Sequence, residues 1–139
     1  MKLIAAAALA GTLLCNAAAA SEKLRKPDAG ERAFQYCYSC HSVDPSEVNL
    51  PAPNLYGIIG RPIASQPGFQ YSEALQQLAR VHKVWTKRLL DQFMRDPAAL
   101  APGTVMEASP GMDRPDVRRA ILAYLARNSP DAQSDQAPR

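Results

Sequence analysis

Cys37-Tyr38-Ser39-Cys40-His41 is the stretch that most narrows what this chain can become. Two thiols one helical turn apart, with an imidazole directly after the second, suit one task above others. Each thiol can add across a vinyl group on one edge of a porphyrin, and the histidine is then carried beneath the ring to bind its iron axially. Cys-x-x-Cys-His is, for that reason, the attachment signature of c-type haem. A structural zinc needs two further ligands, and beyond residue 20 the chain offers no third cysteine and one other histidine, His82. A thioredoxin-type pair belongs beside a βαβ pattern, of which there is no sign.

The rest of the composition agrees with a chain built around a large group. At 139 residues there is room for one domain. Aromatics make up only 6%, and a small domain short of large side chains struggles to build a core unaided. A covalently held porphyrin would supply that apolar centre. Hydrophobic residues at 47% and charged residues at 21% read as globular. The net charge of +3 suits docking to an acidic protein surface. It does not mark a nucleic-acid binder, because the basic residues form no stripe with interleaved aromatics.

The amino terminus reads as a targeting segment. Lys2 is followed by an apolar run from Leu3 to Leu14, and Ala17-Ala18-Ala19-Ala20 provides small-x-small cleavage sites. Residues 1–20 are therefore expected to be a signal peptide cut before Ser21. A retained anchor is the competing reading, but the run is borderline for spanning a bilayer and is interrupted by Asn16. Cys15 follows Leu14, where lipoprotein processing wants a small side chain, so it is expected to leave with the leader. Periplasmic export fits the haem motif, since thioether attachment is made beyond the bacterial cytoplasmic membrane. Residues 21–128 form the expected domain, and 129–139 a polar, disordered tail.

Along the domain, Asp28 and Glu31 make a capping-box pattern. They open a helix with Ala33, Phe34, Tyr36 and Cys37 on or near its inner face. Gly30 lies on the Phe34 side of that helix and permits another helix to cross closely. Residues 42–67 turn to Pro, Gly, Asn and Ser, a loop too long to be idle and suited to wrapping one edge of a cofactor. Ser72 caps a helix carrying Ala74, Leu75, Leu78 and Ala79. Thr86 caps another with Leu89, Leu90, Phe93 and Met94 on one face, which Asp96-Pro97 stops. A second irregular stretch covers 98–111. Asp113 and Pro115 then open a last helix with Val117, Ile121, Tyr124 and Leu125 inward, ended by Asn128. With no strand pattern and no repeat, the expected fold is all-α, about four short helices and long loops around one haem.

From Gly30 to Leu125 these residues resemble the class I (mitochondrial-type) cytochromes c. Six blocks carry the resemblance. They are Gly30-x-x-x-Phe34, the Cys37–His41 motif, Pro53-Asn54-Leu55-Tyr56-Gly57-Ile58-Ile59-Gly60-Arg61 and Pro67-Gly68-Phe69-Gln70-Tyr71-Ser72 with Trp85. Pro102-Gly103-Thr104-Val105-Met106 and Leu122-Ala123-Tyr124-Leu125 complete the set. The resemblance implies thioethers at Cys37 and Cys40, His41 as proximal ligand, and Met106 binding the opposite face of the iron through sulfur. It implies that the Pro53 carbonyl accepts the His41 Nδ1 proton. It places Arg61, Tyr71 and Trp85 around a buried propionate, a charge that needs cations and donors about it, and puts Thr104 in the cofactor pocket.

The function implied is that of an exported monohaem carrier, not an enzyme, passing single electrons by outer-sphere transfer between a redox-protein donor and acceptor. It would be a monomer or a subunit of a dehydrogenase complex, with no nucleic acid and no stable membrane insertion after cleavage. A bound dehydrogenase subunit and a haem protein with a labile distal ligand that binds small molecules are the other two readings. Met94 and Met112 rival Met106 as ligands, Met94 reading as core. His82 reads as a solvated loop residue, and Arg80, Lys83, Lys87, Arg88 and Arg95 as a solvated basic face. Departures from the family are Phe93 where a tyrosine usually stands near the methionine sulfur, Leu75 for an asparagine, and Ala108 for a phenylalanine. The 107–110 segment is one residue longer, and the family's docking ring of lysines is missing.

Overall fold

Asp28 starts the first helix, α1 (Ala29–Phe34), in the computed structural model, which describes residues 25–130. Its carboxylate accepts the backbone N–H groups of Gly30 (2.8 Å) and Glu31 (3.0 Å), and the Glu31 carboxylate accepts that of Asp28 (2.7 Å). Both ends of the capping box are thus closed. The same bonds, foremost the Glu31 N–H on Asp28 and the Asp28 N–H on Glu31, hold both carboxyls below their ordinary pKa. The leader at 1–20, Cys15 and residues 131–139 lie outside the described residues.

Ser72 caps α2 (Glu73–Val81) by accepting the Leu75 N–H, and Thr86 caps α3 (Lys87–Arg95) through Leu89 at 3.1 Å. The expected stop at Asp96-Pro97 is also a start. The Asp96 carboxylate accepts the Ala99 N–H at 3.0 Å, and Pro97 at the first helical position opens a single turn, α4 (Pro97–Leu100). A proline that ends one helix has the φ needed to begin another, so the irregular stretch begins after residue 100 rather than at 98. The described residues therefore hold five helices where about four were expected. The last is α5 (Pro115–Arg127). Arg114, with no capping hydrogen bond, occupies its N-cap; Asp113, expected to open the helix, stands exposed before it. No helix among the described residues is long and apolar enough to cross a membrane. They form no strand, only an isolated bridge between Pro62 and Val84.

α1 packs on α5, and α5 on α3. The first crossing is set by Gly30. A Cβ there would lie 2.8 Å from the Ala120 carbonyl oxygen and 2.8 Å from the Tyr124 Cβ. Neither can swing away as a flexible chain end would. Gly30→Ala is expected to lower stability by about 1–3 kcal/mol, the usual cost of overpacking, with alanine's better helix propensity offsetting up to about 1 kcal/mol. The urea midpoint checks it; an unchanged or raised midpoint would mean the two helices can part without loss.

Phe34, fully buried, touches Tyr38 and Tyr124 ring to ring at 4.9 and 5.1 Å. The core continues through Leu89, Leu90, Phe93, Ile121 and Leu125. Tyr36, expected near the inner face of α1, is exposed instead, because the helix ends at Phe34 and the chain beyond runs through turns. The packed domain also reaches one residue further than expected. Ser129, assigned to the tail, is buried, donating to the Leu125 carbonyl and accepting the Ile59 N–H.

Candidate cofactor site

The turns after α1 place the three residues of the motif. Cys37 N–H bonds the Phe34 carbonyl at 2.8 Å, and His41 N–H bonds that of Cys37 at 2.8 Å. Cys37, Cys40 and His41 thereby share one wall of a cavity of about 380 Å³. Much of the remaining lining is apolar, with Phe34, Leu90, Phe93, Ile121 and Leu125 in it. Pro53, Arg61, Tyr71, Trp85, Thr104 and Met106 all line the same cavity, so each site residue expected from the sequence is brought there.

His41 Nδ1 lies 2.7 Å from the Pro53 carbonyl oxygen. A carbonyl can only accept, so Nδ1 carries the proton and Nε2 is left as the nitrogen with a free lone pair. Burial pushes the His41 pKa down, the Arg61 charge adds to this, and the Pro53 bond partly opposes it. The neutral imidazole, the form that ligates metals, is thereby favoured. Among the described residues Cys37 and Cys40 form no disulfide; as a thiol, Cys37 is pushed up to about 11 by burial and then by its neighbour Cys40.

Arg61, Tyr71 and Trp85 are tied into one polar corner. The Arg61 guanidinium donates to the Asn54 carbonyl (2.7 Å) and to the Gln66 side-chain oxygen (3.1 Å). The Tyr71 hydroxyl accepts the Gln66 N–H at 3.2 Å, and burial raises its pKa. Trp85 and Arg61 are joined by backbone, Trp85 N–H to Arg61 carbonyl at 2.9 Å, and the indole stacks obliquely on Phe93. Gly60, whose N–H bonds the Trp85 carbonyl, has φ +85°, a conformation that favours glycine.

Met106 comes from the loop after α4. Thr104 N–H bonds Ala101, and the Thr104 hydroxyl accepts the Met106 N–H at 3.4 Å. Of the two rivals, Met112 is buried but does not line the cavity, whereas Met94 lines it from α3 while belonging to the core cluster. Phe93 and Leu75, the departures from the family pattern, are both in the cavity wall; Ala108 is exposed and outside it. His82 is exposed and ends α2.

Three sets of interactions with structural weight escaped the sequence reading. Arg118 is 6% exposed, and its Nε donates to Asp91 on α3 at 2.8 Å while another nitrogen donates to the Met112 carbonyl at 2.7 Å. Its signal was position: 118, 121 and 125 share one face of α5. The Asn54 side chain donates to the carbonyls of Asp44 and Glu47, at 2.6 and 2.9 Å, knotting the long loop that presents Pro53. Tyr38 and Tyr124 join hydroxyl to hydroxyl at 2.9 Å; burial, and then this bond, pushes Tyr124 well up.

Two thiols on one edge, a histidine of fixed tautomer, a thioether and apolar walls with one cationic corner fit a covalently held porphyrin. Soft sulfur and imidazole are donors suited to its iron. Comparison with known proteins gives the same answer. No family model matches the chain. It is 35% identical to cytochrome c-550 of Paracoccus pantotrophus over 125 residues, covering 78% of this chain and 90% of that one. It is 34% identical to cytochrome c-550 of Paracoccus denitrificans, with 97% and 94% covered. Of the solved structures, cytochrome c2 from Rhodospirillum centenum superposes with a TM-score of 0.65 at 30% identity, over 75% of this chain and 100% of that one.

Proposed function

This chain belongs to the class I cytochromes c of bacteria, and from that premise we propose that it is an exported carrier of single electrons whose haem iron is ligated by His41 and Met106. The observation that carries this reading is one cavity lined together by Cys37, Cys40, His41 and Met106, with His41 Nδ1 held on the Pro53 carbonyl. Haem c, held by two thioethers, supplies an iron that alternates between ferrous and ferric states.

The protein's part is to orient and exclude. Pro53 directs the imidazole and strengthens it as a donor. Thr104 steadies the backbone at Met106. Arg61, with Tyr71 beside it, puts positive charge and a hydroxyl donor where a propionate would otherwise be buried uncompensated. Leu90, Phe93, Ile121 and Leu125 keep water from the centre. Cys40 is both exposed and part of the cavity wall, so the attachment edge faces solvent, where a donor or acceptor protein can approach. Residues 1–20, an apolar run ending in small side chains, support export and removal of the leader, leaving a domain that begins at Ser21.

The test is to express the chain with the machinery for periplasmic haem attachment and record ferric and ferrous spectra. One haem per chain that resists acid-acetone extraction is expected, low-spin in both states, with the weak far-red band of sulfur on ferric iron. The Cys37→Ala/Cys40→Ala double variant is expected to lose the covalent haem. A second reading has one observation behind it. Phe93 stands in the cavity wall without a hydroxyl, which favours an exchangeable Met106. High-spin iron and rapid binding of carbon monoxide would bring that reading forward and set the carrier aside.

A further inference from the structure

Gln66 does not line the cavity, yet it holds two polar residues that do, Arg61 and Tyr71. Its side-chain oxygen accepts an Arg61 Nη1 proton at 3.1 Å, and its backbone N–H donates to the Tyr71 hydroxyl at 3.2 Å. Arginine can only donate, which fixes the amide with its oxygen toward Arg61. The Tyr71 oxygen accepts from Gln66, so the phenol keeps its own proton to donate. The local chain path makes this arrangement. Ala64 takes a left-handed conformation at φ +56°, and a turn then closes from Gln66 to Phe69, whose N–H bonds the Gln66 carbonyl at 3.3 Å. Pro67 and Gly68, the latter at φ +75°, fill its two central places, as a type II turn requires. Arg61 stands five residues before Gln66 and Tyr71 five after it, and both are drawn back to it.

The other supports of Arg61 show what Gln66 adds. The Arg61 backbone is clipped to Trp85 at 2.9 Å, and Nη2 donates to the Asn54 carbonyl at 2.7 Å. Besides Gln66, Nη1 reaches the Tyr56 carbonyl at 3.4 Å, a longer contact. Gln66 is therefore the closer of two acceptors that fix this arm of the guanidinium, and a neutral amide fixes it without cancelling its charge. From this, and resting on the carrier reading above, we infer that Gln66 is a positioning residue for electron transfer. Acting through Arg61 and Tyr71, it holds a positive charge and a hydroxyl donor at the cavity and so raises the reduction potential of the haem. The physical cause is Coulombic: ferrous iron carries one positive charge fewer than ferric, so a fixed cation nearby favours the reduced state.

The experiment is an equilibrium titration of the holoprotein against a one-electron mediator, followed by its ferrous and ferric spectra. Gln66→Met keeps the length of the side chain, loses its acceptor and leaves the backbone bond to Tyr71 in place. It is expected to shift the ferrous-to-ferric ratio by about twofold or more toward ferric. Gln66→Glu keeps the tether but sets a negative charge on Arg61. Its shift is expected to be larger, about threefold or more in the same direction, which is ~30 mV at about 59 mV per tenfold. In an Arg61→Met background, Gln66→Met is expected to move the ratio by less than about 1.3-fold, because the group it acts through is gone. If Arg61→Met does not retain haem, Arg61→Lys replaces it in the cycle. An ammonium cannot span Asn54 and Gln66 as the guanidinium fork does, so Gln66→Met should again shift the ratio less than it does in the parent. A parent-like ratio in Gln66→Met, whatever its urea midpoint, would reduce Gln66 to loop packing and overturn the inference, even if Gln66→Glu shifts through its charge. A shift by Gln66→Met that is equal with and without Arg61 would overturn it as well. A parent protein without covalent haem or reversible reduction fails the carrier reading itself, which the spectra reveal before any titration.

Discussion

Met106→Ala is expected to abolish the far-red sulfur band, admit water or carbon monoxide to the iron, and lower the reduction potential by roughly 0.2 V, a fraction of the ~0.8 V that axial ligands command. A thioether stabilises ferrous iron relative to harder donors, so its removal shifts the balance toward ferric. The fold should survive, because Met106 is only partly buried and its loop is held by other bonds, among them Thr104 to Ala101. Met112→Ala supplies the contrast. Met112 is 3% exposed and outside the cavity lining. Its truncation should cost about 2–5 kcal/mol of stability while leaving the band intact in the folded protein. Met94 makes the comparison sharper, since it does reach the cavity wall from α3. A band that persists in Met106→Ala and disappears in Met94→Ala would move the ligand to α3.

Arg118→Ala should produce the other large effect, this time on stability and on the loop together. The guanidinium ties three elements: it rides on α5, bonds Asp91 on α3, and holds the Met112 carbonyl at the far end of the loop that carries Met106. Breaking a fully buried pair costs about 3–5 kcal/mol, and the Asp91 side chain is 35% exposed, so solvent takes up part of that loss and about 2–3 kcal/mol is expected. Arg118→Lys should recover little, because an ammonium point charge cannot reach two partners in the fixed directions of a guanidinium fork. Urea titration followed at two wavelengths separates the consequences. The far-red band should vanish at a lower urea concentration than the helical signal in Arg118→Ala, whereas in the parent the two should coincide. Coincident loss in the variant would mean that Arg118 serves packing alone and has no hold on the methionine loop.

What was legible beforehand was local. The capping box of Asp28 and Glu31, the caps at Ser72 and Thr86, and the face made by Leu89, Leu90, Phe93 and Met94 all act within a turn or two, where spacing is geometry. That some helix could cross α1 closely was readable too, from a glycine in register with Phe34; that the partner is α5 was not. The misses share a different character. Pro97 reads as a terminator, yet the same fixed φ made it the first residue of α4. Tyr36 was placed inward by extending the α1 period past Phe34, where the backbone had already turned. Arg118 sits in the stripe with Ile121 and Leu125, and a charge in an apolar stripe reads as a solvated interruption until its partners are known. Those partners, Asp91 and the Met112 carbonyl, come from distant segments that no spacing rule connects. Ser129 escaped in the same way, since its hydrogen bond to the Ile59 N–H depends on where the long loop folds back.

Two neighbouring residues in that loop hold opposite sides of the pocket. Pro53 offers its carbonyl to the His41 imidazole, and Asn54 offers the next one to the Arg61 guanidinium. Successive peptide planes are separated by only two soft torsions, and here the Asn54 side chain is itself pinned to Asp44 and Glu47. The pair therefore behaves like a rigid yoke. Tilting one arm to sharpen or relax the bond to His41 tilts the other and changes how Arg61 is presented. The bond to His41 and the presentation of Arg61 therefore share one short stretch of backbone, and a substitution aimed at either is expected to be read out in both.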